Sequence, residues 1–233
     1  MTGLKNRSRQ EEQMDAVDLD EATYTQVLAD LSRVNRWTLT AQPVLAYLKR
    51  ATTSLDEFRL LDVGFGHGDI LRSIARWAQN RGSQARLEGV DLNLRSAEIA
   101  RAATPPDLAI EYHTGDYRNV AGPFDFVISS QVTHHMTDEQ LREFLRYMET
   151  TARKGWLVCE LHRHWLAHGG FPLLARLLGV HRIVREDGRL SIARSFRPDE
   201  WPPMLADAGI QPSKVRIVRR FPFRLCVERL RES

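Results

Sequence analysis

A glycine-rich loop between an apolar run and a helical pattern is the part of this chain best suited to bind a small ligand. The run from Leu60 to Val63 leads into Gly64, Gly66 and Gly68. Glycine lets the backbone turn sharply and approach a ligand closely, because it has no Cβ to collide. The helix that follows directs its free N–H groups and positive end back at the loop. The sequence therefore predicts a site for a small, polar, partly anionic ligand.

An acidic residue after the next apolar run supports this interpretation. Asp91 follows Leu87–Val90, at a position where a carboxylate can accept hydrogen bonds from ribose hydroxyls. The loop spacing is Gly-x-Gly-x-Gly, without the third glycine that a dinucleotide site has three residues after the second. With these motifs the chain resembles class I S-adenosylmethionine-dependent methyltransferases, over most of the stretch from about Leu60 to Glu228.

This resemblance implies S-adenosylmethionine as the methyl donor and S-adenosylhomocysteine as the product. Asp116 is expected to accept a hydrogen bond from the adenine amino group, and Tyr117 to stack on the adenine or to pack. Arg36 is expected to pair with the carboxylate of the donor's methionine part, unless the helix around it only packs. The full set of expected donor-site residues is Asp62, Gly64, Phe65, Gly66, Gly68, Asp91, Leu92, Asp116, Tyr117, Ser130 and Arg36.

Two adjacent histidines follow the fourth predicted strand, Phe124–Ser129. Methyl transfer needs an aligned nucleophile and, for a hydroxyl, a base that removes its proton. His134 or His135 could be that base, and adjacent side chains point in different directions, so at most one should face the substrate. Similar methyltransferases that act on quinone precursors carry a His-His pair here. The alternative is that His135 caps or packs the loop while His134 is solvated.

An insertion between about residues 162 and 197 gives the main indication of the substrate. It holds seven arginines, four of the eight histidines and many large apolar residues. A cap of this composition would suit an aromatic or lipophilic acceptor bearing a phenolate or carboxylate. We expect acceptor contacts from His162, Arg163, Trp165 and Arg194. Alternatively, the apolar residues form the cap's own core beneath solvated arginines, or Phe171 to Val180 lies on a membrane surface.

The elements that must position these residues alternate between strand and helix patterns, which predicts an α/β fold. We expect a Rossmann-like doubly wound sheet, mostly parallel, with a C-terminal antiparallel hairpin, N-terminal helices and the cap insertion. The predicted divisions are a disordered tail (1–18), a helical lid (19–55), a donor-binding core (56–161), the cap (162–197) and a C-terminal helix and hairpin that complete the core (198–233).

Composition restricts the partners. The 233 residues are 42% hydrophobic and 27% charged, with a formal net charge of +3, so no nucleic-acid footprint is indicated. There is no membrane-spanning run or signal peptide. Cys159 and Cys226 are expected to be buried thiols in a reducing, cytoplasmic compartment.

Zinc-site spacings are absent and His162-x-His164 is treated as incidental, so no metal is expected. The expected partner is a small-molecule acceptor, with at most weak membrane-surface contact, for a monomer or homodimer.

The leading functional hypothesis is O-methylation of a phenol or carboxylate, with C-methylation of a phenol or quinol ring as the close alternative. The stretch from His162 to Trp201 loosely resembles methyltransferases encoded beside bacterial polyketide-type synthases, which suggests a phenolic acceptor and secondary metabolism. Two hypotheses come from other classes. One is a donor-binding pseudoenzyme, and the other is an RNA-binding methyltransferase or binding module that uses arginines of the closing hairpin: Arg216, Arg219, Arg220 and Arg224.

Overall fold

A seven-stranded sheet forms the centre of the protein in a computed structural model that describes residues 4–16 and 18–231. Its order is β3-β2-β1-β4-β5-β7-β6, and only β7 runs antiparallel to its neighbours. This confirms the predicted doubly wound sheet with a C-terminal antiparallel hairpin. The strands are β1 (Glu57–Val63), β2 (Gln84–Asp91), β3 (Ile110–Thr114), β4 (Phe124–Ser130), β5 (Ala152–Leu161), β6 (Arg216–Arg220) and β7 (Arg224–Leu230).

Helices cover both faces of the sheet. One apolar core lies between the sheet and α2, α3 and α4, and the other between the sheet and α5 and α8. The two inner strands β1 and β4 read as almost continuous apolar runs because both of their faces are buried. The helices are α1 (Glu21–Trp37), α2 (Ala41–Ala51), α3 (Asp69–Arg81), α4 (Ser96–Ala102), α5 (Asp138–Thr151), α6 (Trp165–Leu177), α7 (Arg182–Arg194) and α8 (Trp201–Asp207).

Strand order reverses between β1 and β4, which opens a crevice at the carboxyl ends of these strands. The glycine loop leads from β1 into α3 at this crevice, and Asp91 ends β2 beside it. The two histidines occupy a short turn of helix after β4, and the capping box of Thr137 and Gln140 then begins α5. The fold therefore brings the predicted donor loop and the histidines to one edge of the sheet.

The insertion forms the helix pair α6 and α7, which packs against α1 through a separate apolar cluster. Val27 and Val34 of α1 meet Ala175, Val180 and Val184 there. The apolar residues of the insertion therefore do not all bury themselves in a core of their own. Several stay exposed, among them Trp165, Leu173 and Leu177. In the described residues no helix is both long and apolar enough to cross a membrane.

The N-terminal segment differs from the disordered tail predicted for residues 1–18. Residues 1–3 and 17 lie outside the described residues, but 4–16 lie against α7 and the turn after β4. The backbone amides of Gln13 and Met14 donate to the carboxylate of Asp187, at 3.0 and 2.9 Å. Glu12 is buried. The polar composition that suggested disorder instead provides specific hydrogen bonds to a folded surface.

The two cysteines are buried free thiols, as predicted. Cys159 of β5 faces Cys226 of β7 in the register of the sheet, with 3.7 Å between the two sulfur atoms.

Candidate functional site

A cavity of about 610 Å³ lies at the carboxyl edge of the sheet, a volume typical of small-molecule sites. One end is bordered by the glycine loop and Asp91, and the middle by the turn after β4. Apolar residues of the cap helices form the wall opposite the sheet: Leu166, Phe171 and Leu174 of α6, and Val184 and Ile192 of α7. The N-terminal segment contributes Glu12 and Met14, and α1 contributes residues from Tyr24 to Asn35.

The glycine loop has a conformation that other residues would adopt only with strain. Gly64 has φ +77°, and a Cβ there would come within 2.3 Å of Val132 Cγ2. The amide of Gly66 donates to Asp91 Oδ2 at 2.9 Å, and the amide of Asn93 donates to Oδ1 at 2.9 Å. Asp91 therefore fixes the loop to the end of β2, so that the backbone is preorganised along the cavity.

A buried carboxyl group at this end has no internal partner. Asp62 is almost completely inaccessible, and neither of its carboxylate oxygens has a hydrogen-bond partner in the described chain. Burial, together with the nearby charges of Asp69 and Asp91, raises the pKa of Asp62 to about 8. Buried polar atoms are rarely left without partners in proteins. Because Asp62 borders the cavity, this orphaned group fits an ammonium or other donor group of a ligand.

Most of the predicted donor residues meet at the cavity. Asp62, Asp91 and six others line it: Gly64, Phe65, Gly66, Leu92, Tyr117 and Ser130. Three predicted residues, Gly68, Asp116 and Arg36, do not line the cavity. Gly68 begins α3 behind the loop, and a Cβ there would lie 2.6 Å from the Tyr112 hydroxyl.

Asp116 and Arg36 also stay outside the cavity lining. The Asp116 carboxylate pairs with Arg118 at 2.5 Å and accepts the backbone amide of Arg118 at 2.8 Å. Its proposed adenine contact would therefore compete with a local ion pair. Arg36 is exposed near the end of α1, where helical periodicity directs Asn35 and Thr38 toward the cavity instead.

His134 is held between two buried carboxylates, which differs from the solvated position considered above. Its Nδ1 lies 3.0 Å from Glu160 Oε2, and its Nε2 lies 3.5 Å from Glu12 Oε1. Burial lowers the pKa of His134, but the opposing attraction of Glu160 and Glu12 outweighs it and raises the pKa to about 9. Burial raises the pKa of Glu160, but the attraction of His134 and hydrogen bonds from His134, the Leu161 amide and the Thr133 hydroxyl outweigh it and lower the pKa to about 2. A histidine that is already protonated cannot act as a base at neutral pH.

His135 is much less buried than His134. Its side chain is 30% exposed, borders the cavity, and places Nε2 3.8 Å from Glu12 Oε2. The carboxylate of Glu12 therefore approaches the Nε2 atoms of both imidazoles. No periodicity or motif in the sequence marks Glu12, because it lies in a short polar segment with only a single turn of helix nearby.

Two sets of described residues bring metal-binding atoms within 4.8 Å of one another: Glu12 with His134 and His135, and Glu88 with Glu111 and His113. In the first set His134 already contacts Glu160 through Nδ1 at 3.0 Å. In the second set Glu88 is paired with Arg59 at 2.7 Å. Each set therefore includes one residue that another side chain already holds.

The four predicted acceptor contacts lie outside the cavity lining. Arg163 is buried, pairs with Glu200 and donates to the Ser195 carbonyl at 2.7 Å. Arg194 donates to the His134 carbonyl at 3.2 Å and the Gln10 carbonyl at 2.6 Å. Trp165 is 65% exposed and stacks on His164, and His162 borders a second, smaller cavity. Composition alone could not separate arginines that brace the cap from those that face a ligand.

The four arginines of the closing hairpin do not form a continuous basic surface that is available to bind RNA. Arg216 and Arg220 approach Glu228 at 4.0 and 3.5 Å, and Arg224 is buried. Arg219 alone of the four remains exposed without an ion pair in the described chain. This arrangement weakens the RNA-binding hypothesis.

Comparison with known proteins identifies the domain. Residues 60–155 match a family model described as a methyltransferase domain, which confirms the resemblance to class I methyltransferases. Magnesium protoporphyrin IX methyltransferase from Synechocystis PCC 6803, with bound SAH, has a TM-score of 0.58 at 16% identity, over 94% of this chain and 92% of that chain. Human N-acetylserotonin methyltransferase with SAM has a TM-score of 0.63 at 15% identity, over 92% and 57% of the two chains.

A SAM-dependent methyltransferase from Aquifex aeolicus has a TM-score of 0.61 at 18% identity and covers 91% of this chain and 98% of its own. At such identities these structures show a shared fold. No curated protein matches the chain significantly.

Proposed function

We propose that this chain, whose residues 60–155 form a class I methyltransferase domain, transfers a methyl group from S-adenosylmethionine to an oxygen of a small aromatic or lipophilic acceptor. The observation that carries the proposal is one continuous cavity. It joins the glycine loop and the orphaned carboxyl group of Asp62 to the exposed ring of His135 and to the apolar wall of α6 and α7.

The donor end has groups that match the polar parts of S-adenosylmethionine. Asp62 would accept hydrogen bonds from the amino group, and Asp91 from the ribose hydroxyls. A Cβ at Gly66 would meet no atom within 4 Å, so the loop leaves open space beside its backbone. When bound, the donor supplies an electrophilic methyl group. The compared enzymes from Synechocystis and human were crystallised with SAH and SAM, which supports the same donor here.

At the acceptor end, His135 would remove the proton from the hydroxyl that is methylated. Glu12 lies 3.8 Å from its Nε2 and would stabilise the imidazolium that results. His134 is charged and committed to Glu160 and Glu12, so its role is to position Glu12. The apolar wall would exclude water and bind the acceptor's hydrocarbon surface. The compared enzymes named for a porphyrin and for N-acetylserotonin support an acceptor of small-molecule size.

His135→Ala tests this assignment. Turnover of a phenolic acceptor should fall by roughly 10²-fold or more, because loss of a general base typically costs that much. SAH affinity, measured by calorimetry, should stay unchanged. His168→Ala on α6 is the matched control and should keep wild-type turnover. NMR of the product distinguishes a methoxy group from a ring methyl group.

Two negative results would contradict different parts of this proposal. Wild-type turnover in His135→Ala would show that His135 is not the base, although the protein could still be a methyltransferase. If the wild type binds neither SAM nor SAH, the proposed function itself is wrong.

A further inference from the structure

The first residue of β7 is a buried arginine that lines the cavity. Arg224 is 3% exposed and borders both the main cavity and a smaller one of about 330 Å³ beside the hairpin. Within the described chain it is the only lysine or arginine that lines the main cavity. Five acidic residues line the same cavity: Glu12, Asp62, Asp69, Asp91 and Asp187. In this lining, Arg224 is therefore the residue whose permanent positive charge could bind a negatively charged group of a ligand.

The guanidinium of Arg224 makes no ion pair at contact distance among the described residues, although the nearby carboxylate of Glu160 attracts its charge. Its Nη2 donates to the hydroxyls of Thr38 and Thr40, at 2.9 and 2.5 Å. Its Nε is buried and has no acceptor. Burial lowers the pKa of Arg224, and a buried charge without an opposite charge is unfavourable. A carboxylate on a ligand would supply an opposite charge at contact distance, because guanidinium groups form strong charge-assisted hydrogen bonds with oxyanions.

The smaller cavity next to Arg224 has the same preference for an anion. Its other lining residues are His162, His164, Arg219, Arg220, Phe221 and Phe223, none of which is acidic. Burial and the charge of Arg219, with other nearby cations, lower the pKa of His162 to about 4. Phe223 borders both cavities and stacks on His164 at 5.2 Å between ring centroids. An aromatic acid would find a flat apolar surface and cationic groups together.

The sheet register indicates which ligand would carry this acid. Arg224 pairs with Leu161 at the end of β5, and the glycine loop follows β1. The strands β1 and β7 are three spacings apart, or about 14 Å, whereas β4 and β7 are two spacings apart, or about 10 Å. His135 follows β4. Arg224 therefore lies on the acceptor's side of the histidine, away from the donor loop.

We propose that Arg224 anchors a carboxylate or similar oxyanion of the acceptor, at the opposite end from the hydroxyl that is methylated. The acceptor is then an amphipathic aromatic hydroxy acid, whose acidic and reacting groups are separated by about the length of two fused rings. This inference rests on the proposed function, and it adds the substrate class and the residue that selects it.

Calorimetric titration of the full chain with three matched probes, in the presence of SAH, tests the proposal. 6-Hydroxy-2-naphthoate carries its acid and hydroxyl at opposite ends, 3-hydroxy-2-naphthoate carries them side by side, and 2-naphthol lacks the acid. The wild type should bind the first at least ~10-fold more tightly than the other two, about the effect of one charge-assisted pair. Equal affinity for all three, including no measurable binding of any, overturns the proposal.

Variants assign the effect to the residue. Arg224→Gln should remove the preference for 6-hydroxy-2-naphthoate and keep the affinity for 2-naphthol and for SAH. Arg224→Lys keeps the charge without the planar fork and should retain part of the preference, which provides a second readout if Arg224→Gln does not fold. Arg216→Gln makes the same charge change on an exposed arginine of β6 and should behave as wild type.

Two results separate this inference from the proposed function. If Arg224→Gln and Arg224→Lys weaken SAH binding but leave the probe preference intact, Arg224 holds the donor's carboxylate and the inference is wrong. If the wild type binds no SAH, the methyltransferase proposal fails, and loss of naphthoate binding in Arg224→Gln still reports an anion site.

Discussion

The carboxyl group of Asp62 should make donor binding depend on pH. Its pKa of about 8 means that the group is mostly protonated in the ligand-free protein at neutral pH. A positively charged amino group beside it favours the carboxylate and lowers that pKa. We therefore expect SAH binding at pH 7 to release about one proton. Calorimetry in buffers with different ionisation enthalpies measures this number directly, and the affinity should rise as pH increases toward 8.

Asp62→Asn is the matched control, since it keeps the shape of the side chain and removes its charge. It should weaken SAH binding by at least ~10-fold, the loss expected for one charge-assisted hydrogen bond, and abolish proton release. Unchanged affinity together with unchanged proton release would contradict the role given to Asp62.

At the scale of single residues, the sequence identified some members of the candidate site and missed others. Gly64, Gly66, Asp62 and Asp91 were identifiable because a ligand loop at a strand end imposes local spacing on the chain. Glu12 and Arg224 were not assigned to the site, because their importance depends on contacts with residues more than a hundred positions away. No local pattern records such contacts.

Among the elements, the N-terminal segment 4–16 changes the site most. It covers the turn after β4 and supplies Glu12, which approaches both His134 and His135. We expect Glu12→Gln to lower turnover of a phenolic acceptor by about 10-fold or more, since the imidazolium of His135 loses its carboxylate partner. SAH affinity should not change, because the contacts of Glu12 are with Ser191 and the two histidines and not with the glycine loop. Steady-state kinetics with calorimetry gives both quantities.

Arg9→Gln is the control for this segment, because Arg9 is an exposed residue that pairs only with Asp138 among the described residues. Equal loss of turnover in both variants would mean that the segment acts through its docking and not through the Glu12 carboxylate.

Helices and strands were predicted more reliably than the contacts between them. The alternation of strand and helix patterns predicted the sheet, and apolar runs predicted the inner strands β1 and β4. The cap was recognised as an interruption of the α/β pattern, but its arginines could not be assigned. An arginine side chain can equally hold a helix in place or contact a ligand. Arg163 and Arg194 do the first, because they bond to groups within the protein.

For the whole molecule, the buried group of Glu12, His134 and Glu160 predicts a pH limit of stability. The pKa of His134 is raised from its ordinary 6.5 to about 9, so the stabilisation is complete below pH 6.5 and lost as pH rises through 9. The unfolding temperature should fall on the order of 5 °C across this interval. Thermal unfolding followed by circular dichroism from pH 6 to about 10 measures it.

His134→Gln should show a lower unfolding temperature at pH 6 and little of this alkaline decrease. Asp62 contributes a separate decrease between its ordinary pKa of 3.8 and about 8, which Asp62→Asn removes. If the wild type and His134→Gln lose stability in parallel above pH 6.5, the charged state assigned to His134 is wrong.

The site joins segments that lie far apart in the sequence, and this affects the order in which it can form during synthesis. Glu12 bonds to Ser191 at 2.9 Å, and Arg7 bonds to the Arg194 carbonyl at 2.8 Å. Arg224 reaches back to Thr40. During synthesis the N-terminal segment leaves the ribosome long before its docking helix exists, so it must wait through most of translation. The acceptor end of the cavity is completed only after Arg224 of β7 has been made.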